Sequence, residues 1–412
     1  MRWLDDGTVT TPQGFSAGAT ACGLKASGRD DLALLGSDRP MAAAGIFTQC
    51  ALPAAPVLLD RETLGRDASA LRGVVVNAGI ANACTGAAGM ADARAMQAAA
   101  AEALGCRGEQ VLVLSTGVIG RRLDMAKVRA GVTGAAARLR PEGGAELARA
   151  IMTTDTRPKE AAVEVALAGG AVRIGGVAKG AGMIHPDMAT MLAIVTTDAS
   201  VDAAELDAIL RAAAAASFNR ISVDGDTSTN DTLLLLANGA AGLGLADAAD
   251  RAAFAAGLLA VCRRLALAIV RDGEGARRLA AIEVLGAVDA AQALAAARTI
   301  ATSPLVKTAL AGGDPNWGRI LAAAARSGAV LDADRVGLAI ATGDGEGGAS
   351  GDWLTLVANG VAAPYAEAAA AAILGGADVA IRLDLGVGSA RETVWTCDLT
   401  ADYVAINADY TT

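Results

Sequence analysis

The chain has 412 residues, a formal net charge of −9, 53% hydrophobic residues and only 3% aromatic residues. A chain of this length holds more than one ordinary hydrophobic core, so we expect two closely packed domains or one large multilayer domain. The acidic balance argues against a nucleic-acid-binding or anionic-membrane-binding surface and favours small-molecule partners. Because alanine is so abundant, we expect a helix-rich interior packed with small side chains.

Cysteine usage and the N-terminal residues bear on the cellular compartment. Six cysteines are scattered without a Cys-x-x-Cys pair, which predicts neither a zinc site nor a disulfide framework. The first residues lack the apolar core of a secretory signal, and the most apolar later stretch, residues 258–270, is interrupted by Arg263 and Arg264. We therefore expect a cytoplasmic protein that is neither secreted nor inserted in a membrane.

Apolar periodicity predicts strands and helices in mixed order along the chain. Strands are predicted at residues 73–77, 111–115, 172–177, 191–195 and 233–237. Helices are predicted at residues 90–104, 125–139, 144–152, 202–217 and 248–270. The tail from Asp378 is β-rich by composition, and we expect its last residues, 406–412, to be ordered.

A glycine-rich turn at residues 179–190 runs directly into the predicted strand at 191–195, and Thr190 stands at the junction. A threonine hydroxyl is a poor nucleophile, but its own α-amine can serve as the adjacent base if the chain is cut before it. Gly180, Gly182 and Pro186 supply turn geometry for such a cut. The alternative is a loop leading into a core strand, with Thr190 simply a β-former.

Two scarcities narrow the choice of catalyst. His185 is the only histidine of the chain, so a Ser-His-Asp or Cys-His catalyst must use that residue or not exist. Only five of the 35 basic residues are lysines, and Lys179 lies in the glycine-rich turn. In a chain that otherwise uses arginine, a lysine is a candidate for a role that a planar guanidinium cannot fill.

Three further polar segments are candidate site elements. Thr116 and Gly117 follow a predicted strand with a hydroxyl and a flexible backbone N–H, which could form an oxyanion hole beside a nucleophile. Residues 153–159 offer three threonines and two cations that could hold an amino-acid carboxylate. Glu274, between two glycines, is either part of a solvated helix end or a carboxylate brought against a ligand.

Two more polar segments favour structural interpretations. Asp224, Asp226 and Asp231 superficially resemble a calcium loop, but the EF-hand spacing and its terminal glutamate are missing. We favour a buried, hydrogen-bonded turn near a site and expect no metal. Residues 314–319 read as an N-cap and helix entry.

Eight polar or glycine-rich motifs stand in one order along nearly the whole chain. They cover residues 77–86, 115–120, 152–156, 179–190, 222–231, 272–275, 313–319 and 407–412. Together they resemble the glutamate N-acetyltransferase / ornithine acetyltransferase family of arginine biosynthesis. The chain departs from the common family pattern in two places. The first is at Ala78 and Ile80, and the second is at Arg277 and Arg278, which replace the threonine and lysine common in the family. The second departure alters the charge near Glu274 and bears on substrate positioning.

The resemblance implies a fold and a maturation step. The family fold is α+β, a layered α/β/β/α arrangement resembling N-terminal-nucleophile hydrolases, with a smaller C-terminal α/β lobe. Family members cut themselves at an Ala-Thr bond, here Ala189–Thr190. The α chain would comprise residues 1–189 and the β chain residues 190–412, and the two associate as α2β2.

The resemblance also implies a reaction. In this family the acetyl group of N2-acetyl-L-ornithine passes to L-glutamate through an acetyl-threonine intermediate, without a cofactor or metal. Thr190 would be the nucleophile, with Thr116 and Gly117 as the oxyanion hole. The resemblance also implies six substrate-binding residues: Thr153, Lys179, Thr190, Glu274, Asn407 and Thr412. The sequence leaves open whether acetyl-CoA is also a donor.

Two competing functions use the same residues differently. An amidase with an N-terminal nucleophile would pass the acyl group to water rather than to an amine. An amino-acid-binding protein without activity would never cut the Ala189–Thr190 bond. Release of free acetate would favour the first alternative, and an uncut chain that binds ornithine tightly would favour the second.

Overall fold

The computed structural model describes residues 1–185 and 191–409, and these contain sixteen strands and eleven α-helices. The strands are β1 Arg2–Trp3, β2 Phe15–Thr20, β3 Leu32–Phe47, β4 Leu71–Ile80, β5 Val111–Val118, β6 Lys159–Leu167, β7 Gly170–Lys179, β8 Leu192–Thr197, β9 Ile221–Ser222, β10 Thr232–Ala237, β11 Leu279–Ala287, β12 Gly337–Gly343, β13 Ala349–Ala358, β14 Val361–Ala362, β15 Asp378–Asp384 and β16 Ala390–Cys397. The helices are α1 Ala55–Arg66, α2 Gly86–Leu104, α3 Met125–Ala136, α4 Gly144–Ala150, α5 Ala203–Ala215, α6 Ala248–Arg271, α7 Ala290–Ala301, α8 Pro304–Gly312, α9 Trp317–Ala325, α10 Glu367–Leu374 and α11 Ala401–Asp409.

The first sheet is continuous but folds into two layers. Its order in the described residues is β1-β6-β7-β8-β10-β3-β4-β5, with β2 paired to β3. The long strand β3 belongs to both layers, because its first half pairs with β2 and β4 and its second half with β10. The register shifts between Gly36 and Met41, where the strand passes from one layer to the other.

Helices cover both outer faces of this folded sheet. Apolar residues of β7, β8 and β10 meet those of β2, β4 and β5 in a core between the two sheet layers. Helices α5 and α6 cover one outer face, and α1, α2 and α3 cover the other. Strand β4 illustrates the arrangement, since Val74 and Val76 face the inter-sheet core while Val75 faces the helices.

The second sheet forms a C-terminal lobe. Its order is β14-β13-β12-β15-β11-β16-β9 in the part of the chain that the structure describes. Helices α7, α8, α9 and α10 pack on one face through a separate apolar core that includes Ile282 and Ile381. Strand β9 pairs in parallel with β16, so residues between α5 and β10 tie the lobe to the main body.

The predicted α+β class, the α/β/β/α layers and the smaller C-terminal α/β lobe are confirmed. The expectation of a helix-rich interior holds only for the outer cores, because the core between the two sheet layers consists mostly of strand residues, with helix α4 contributing Leu147, Ala148 and Ala150. One described helix, α6, is long and apolar enough to span a membrane, but 56% of its apolar 18-residue stretch is buried. It packs against β6 and β7, so its apolar residues belong to the core.

The helices and strands predicted from periodicity are all present, with boundaries displaced by a few residues. The main difference is in the tail, where the β-rich stretch ends at Cys397 and helix α11 follows. Order at residues 406–409 is confirmed by this helix. Its exposed side chains gave no apolar periodicity from which a helix could be predicted.

Candidate active site

Residues from seven separate parts of the chain line one small pocket between the main body and the C-terminal lobe. Its volume is about 140 Å³. The sequence-predicted residues on its wall are Thr116, Gly117, Thr153, Lys179, Glu274 and Asn407. Ends of strands and helices converge here: β5 ends at Val118, β7 at Lys179 and α6 at Arg271. The fold therefore brings together side chains that are almost three hundred positions apart.

The end of β5 supplies a hydroxyl and a glycine. Thr116 is buried on the pocket wall, and its hydroxyl oxygen lies 3.4 Å from Lys179 Nζ. Gly117 has φ +127°, and a Cβ at that position would lie 2.2 Å from the backbone carbon of Gly79. Only glycine fits this close contact between strands β4 and β5. The preceding Ser115 is used structurally, since its hydroxyl donates to Asn77 at 2.6 Å.

Lys179 is the central cation of the pocket. Its side chain is 4% exposed, and Nζ donates to the Thr153 hydroxyl at 2.6 Å and lies 3.7 Å from a carboxylate oxygen of Asp155. Burial lowers the pKa of the Lys179 amine, while the Asp155 carboxylate opposes that shift. The Lys179 amine is thus buried beside the Asp155 carboxylate, and it lines the pocket, where it can bind a ligand.

A buried ion-pair network behind the pocket was not predicted. Lys159 Nζ lies 2.7 Å from Asp155 Oδ1 and 2.6 Å from Asp272 Oδ2, and these three side chains are at most 1% exposed. Burial alone would raise the pKa of Asp155, but the charges of Lys179 and Lys159 and a hydrogen bond from Gly180 N–H hold it below its usual value. The only indication of this network in the sequence was the scarcity of lysines, which marked Lys159 as a candidate for a special role.

The network corrects one expectation about residues 153–159. Of the two cations in that segment, Lys159 is not available to hold a substrate carboxylate because it is committed to Asp155 and Asp272. Arg157 points to the surface, with a side chain that is 63% exposed. Only the first part of the segment, Thr153 and the neighbouring Thr154, lines the pocket.

Glu274 also lines this pocket. Its backbone N–H donates to Ala181 O at 2.8 Å, and Oε2 accepts from Asn407 Nδ2 at 2.8 Å. A Cβ at Gly182 would lie 2.4 Å from Oε2, so that glycine allows the carboxylate to approach the turn. Glu274 is 9% exposed. The interpretation as a solvated helix end is therefore wrong.

The family departures near Glu274 leave the pocket itself unchanged. Arg277 pairs with Asp402 at the surface, at 2.8 Å. The Arg278 guanidinium donates to the carbonyls of Leu310 and Ala311. Neither arginine is among the residues that line the pocket, so their charges act on Glu274 only from a distance.

Two aspartates hold the chain on either side of the 186–190 segment. Asp224 accepts from the N–H groups of Met183 and Ile184, at 2.5 and 2.9 Å. Asp231 accepts from the Met191 N–H at 3.0 Å. Burial raises the pKa of both carboxyls, that of Asp231 well above its usual value. The favoured interpretation of a hydrogen-bonded turn near a site holds for Asp224 and Asp231, whereas Asp226 is exposed. No group of potential metal ligands occurs in residues 1–185 and 191–409.

The remaining predicted residues do not line this pocket in the described part of the structure. Ala189, Thr190 and Thr412 lie outside the described residues. Residues 314–319 belong to the C-terminal lobe, where helix α9 starts at Trp317 after Asn316 as N-cap residue, so the prediction of a helix entry is confirmed.

Comparison with known proteins decides the family. The model of the ArgJ family matches residues 16–412. The chain belongs to the ArgJ family. A relative from Symbiobacterium thermophilum, called arginine biosynthesis bifunctional protein ArgJ, is 50% identical over all of both chains. One of the same name from Dehalococcoides mccartyi is 49% identical and covers 99% of this chain and 98% of its own.

A solved structure from the same family gives a shorter match. The crystal structure of ornithine acetyltransferase complexed with ornithine from Mycobacterium tuberculosis is 43% identical. It covers 46% of this chain and 99% of its own, with a TM-score of 0.43. The family predicted from the eight collinear motifs is thus confirmed by the ArgJ match, and the chain is an acetyltransferase of arginine biosynthesis.

Proposed function

We propose that this enzyme transfers the acetyl group of N2-acetyl-L-ornithine to L-glutamate through an acetyl ester of Thr190, after cutting its own chain between Ala189 and Thr190. The observation that carries the proposal is the pocket in which Thr116, Lys179 and Glu274 meet. A hydroxyl donor, a cation and an anion on one wall are the groups needed to bind an amino acid and stabilise an acyl oxyanion.

The residues that follow Thr190 in the chain support its assignment as the nucleophile. Thr190 is bonded to Met191, and consecutive Cα atoms are about 3.8 Å apart. Met191 is fixed at both backbone groups, since its N–H donates to Asp231 and its carbonyl accepts from Thr232 N–H at 3.0 Å. The next residue, Leu192, pairs directly with Lys179 across β7 and β8. The fixed position of Met191 and the pairing of Leu192 with Lys179 support the assignment of Thr190 as the nucleophile for this pocket.

Maturation follows as an acyl shift and a hydrolysis. Thr190 Oγ attacks the Ala189 carbonyl, the C–N bond breaks to release the α-amine of Thr190, and water then hydrolyses the resulting ester. The products are residues 1–189 and 190–412. Strands of the two products remain paired, β7 with β8 and β3 with β10, so the sheet supports a stable association after the cut.

The released α-amine is the base for turnover. An α-amine has a pKa of about 7.7–8.0 in model peptides, so a substantial fraction is neutral near neutral pH. It can accept the proton of its own hydroxyl as Thr190 attacks the acetyl carbonyl of acetylornithine. Ornithine leaves with a proton on its amine. The α-amine of glutamate then attacks the acetyl ester and departs as N-acetylglutamate.

The wall of the pocket supplies the stabilising groups. The Thr116 hydroxyl lies within reach of Lys179 Nζ as an acceptor, which leaves its own proton free to donate to an oxyanion together with the Gly117 N–H. We assign Lys179, with Thr153, to a substrate carboxylate, and Glu274, with Asn407, to a substrate amine. Thr412 is assigned to substrate binding by the family resemblance alone.

Removing the hydroxyl at position 116 tests the oxyanion assignment. Thr116→Val keeps a β-branched side chain in strand β5 but removes one donor, so we expect kcat to fall about 100-fold. The KM for acetylornithine should change little. Stopped assays of N-acetylglutamate formation measure both constants. A fall of less than about threefold in kcat would show that this hydroxyl does not stabilise the transition state.

Neutralising Glu274 tests the amine assignment. Glu274→Gln keeps the size of the side chain but loses the negative charge, so we expect the KM for acetylornithine to rise about tenfold. Single-turnover acetylation at saturating acetylornithine should stay near the wild-type rate. An equal loss in single-turnover acetylation would instead place Glu274 in the chemical step.

One competition experiment tests the proposed reaction and its donor. The enzyme is incubated with glutamate and either acetylornithine or acetyl-CoA, and N-acetylglutamate is followed. We expect product from acetylornithine, and product from acetyl-CoA would add the second activity. Free acetate without N-acetylglutamate would contradict the proposal and identify an amidase. We further propose that the mature enzyme is an α2β2 assembly in the cytoplasm.

A further inference from the structure

A second cavity, larger than the first, lies on the C-terminal sheet. Its volume is about 570 Å³, within the size range of small-ligand sites. The cavity is on the face opposite helices α7 to α10, and its floor includes the buried alanines Ala281 and Ala380. Ala281 pairs with Ala380 on one neighbouring strand and with Trp395 on the other. The two small alanine side chains therefore form a depression next to the large indole of Trp395.

The charge of this groove is opposite to that of the chain. Four arginines and two glutamates line it, while the whole chain carries a net charge of −9. Arg382 is paired with Glu283 at 2.6 Å, and Arg220 with Glu392. The other two arginines, Arg263 and Arg391, have no carboxylate partner among residues 1–185 and 191–409. The groove thus holds two positive charges that its own acids do not neutralise.

Flat side chains line the groove as well as charged ones. The Arg263 guanidinium lies 4.9 Å from the centre of the Trp395 ring, and that of Arg382 lies 3.9 Å from the centre of the Trp353 ring. Trp353 is only partly buried. Stacked guanidinium and indole planes offer surfaces on which a further flat ring can lie.

We propose that this groove binds a phosphate-bearing ligand with a flat ring, of the nucleoside monophosphate class. The phosphate lies between Arg263 and Arg391, because a guanidinium without a carboxylate partner binds phosphate with charge-assisted hydrogen bonds. The ring lies over the alanine floor against Trp353. The ligand class follows from the combination of positive charge and flat apolar surface, which neither a simple anion nor an apolar compound would use in full.

The groove and the pocket around Lys179 share no lining residue, but strand β9 and helix α6 run from one to the other. Arg220 stands just before strand β9, and Asp224, on the pocket wall, lies two residues after that strand. Helix α6 carries Arg263 and ends three residues before Glu274. Binding in the groove does not require acetyl transfer, so it can be tested without reference to turnover.

Calorimetric titration of the purified full-length enzyme with AMP tests the proposal. We expect saturable binding, and weaker binding of adenosine, which lacks the phosphate, and of inorganic phosphate, which lacks the ring. Arg263→Gln and Arg391→Gln should each weaken AMP binding about tenfold, as expected for losing a charged hydrogen bond.

The chain offers a matched control at the next position of helix α6. Arg264 stacks on Trp3 at 4.5 Å and does not line the groove, so Arg264→Gln should bind AMP within about twofold of wild type. Circular dichroism checks that all variants fold. Absence of saturable AMP binding, equal affinity for adenosine or for phosphate, or equal loss in the Arg264 variant would each overturn the proposal.

Discussion

Thr190→Ala is expected to yield one uncut chain of 412 residues without acetyltransferase activity, whereas the wild-type enzyme gives two bands on a denaturing gel. The substitution removes the hydroxyl that attacks the Ala189 carbonyl and that later carries the acetyl group. Both the cut and turnover are therefore lost together.

A second substitution at the same position separates the hydroxyl from the side-chain size. Thr190→Ser keeps the hydroxyl and should still be cut and retain measurable acetyl transfer, although more slowly. Two bands from Thr190→Ala, or acetyl transfer by an uncut wild-type chain, would refute the proposed maturation.

Lys159→Met is expected to lower the free energy of unfolding by about 3–5 kcal/mol, the usual cost of breaking a buried ion pair by removing one partner. Asp155 and Asp272 would be left without the cation that lies between them, and both are almost fully buried. Lys179 would still face Asp155, whereas Asp272 would keep the exposed Arg157 and the two hydrogen bonds that Thr156 donates. The side chain of methionine fills nearly the same volume, so the loss reports on charge.

The measurement is urea unfolding followed by circular dichroism, made in the Thr190→Ala background so that one covalent chain unfolds. Lys127→Met is the matched control, because Lys127 is exposed and its amine donates to the Gly23 carbonyl at 3.0 Å rather than to a buried carboxylate. We expect its unfolding free energy to change by less than about 1 kcal/mol. A similarly small change for Lys159→Met would mean that the network contributes little to stability.

Much of the local structure could be predicted because it depends on short sequence patterns. The run of valines around Val75 predicted a buried strand. The sequence offers Ser200 or Asp202 as the cap of helix α5, and the structure uses Asp202, whose side chain accepts from Glu205 N–H at 2.9 Å. The eight motifs predicted the family because their order spans the chain.

The stacking of the two sheet layers could not be predicted from periodicity. It depends on strand β3, whose apolar residues are interrupted by the polar residues 37–39. This break is visible in the sequence, but nothing there shows that the two halves pair with different partners. Composition was misleading here, because alanine serves both in the helices and at tightly packed positions in the sheets, such as Ala33 and Ala193.

The roles of individual charges depend on contacts across long stretches of sequence. Lys159 and Arg157 are equally polar and only two positions apart, yet one is buried between two aspartates and the other is exposed. Both approach Asp272, more than one hundred positions further along the chain, but only Lys159 lies between Asp272 and the buried Asp155. Lysine scarcity pointed to Lys179 and Lys159 alike and could not assign one to the pocket wall and the other to the network behind it.

The central claim is that Thr190 is a new N-terminus that carries the acetyl group. Mass spectrometry of the enzyme after incubation with acetylornithine, without glutamate, tests it most directly. We predict a chain that begins at Thr190 and has gained one acetyl group on that residue, which is lost when glutamate is added. An intact Ala189–Thr190 bond, or an acetyl group on another residue, would contradict the account.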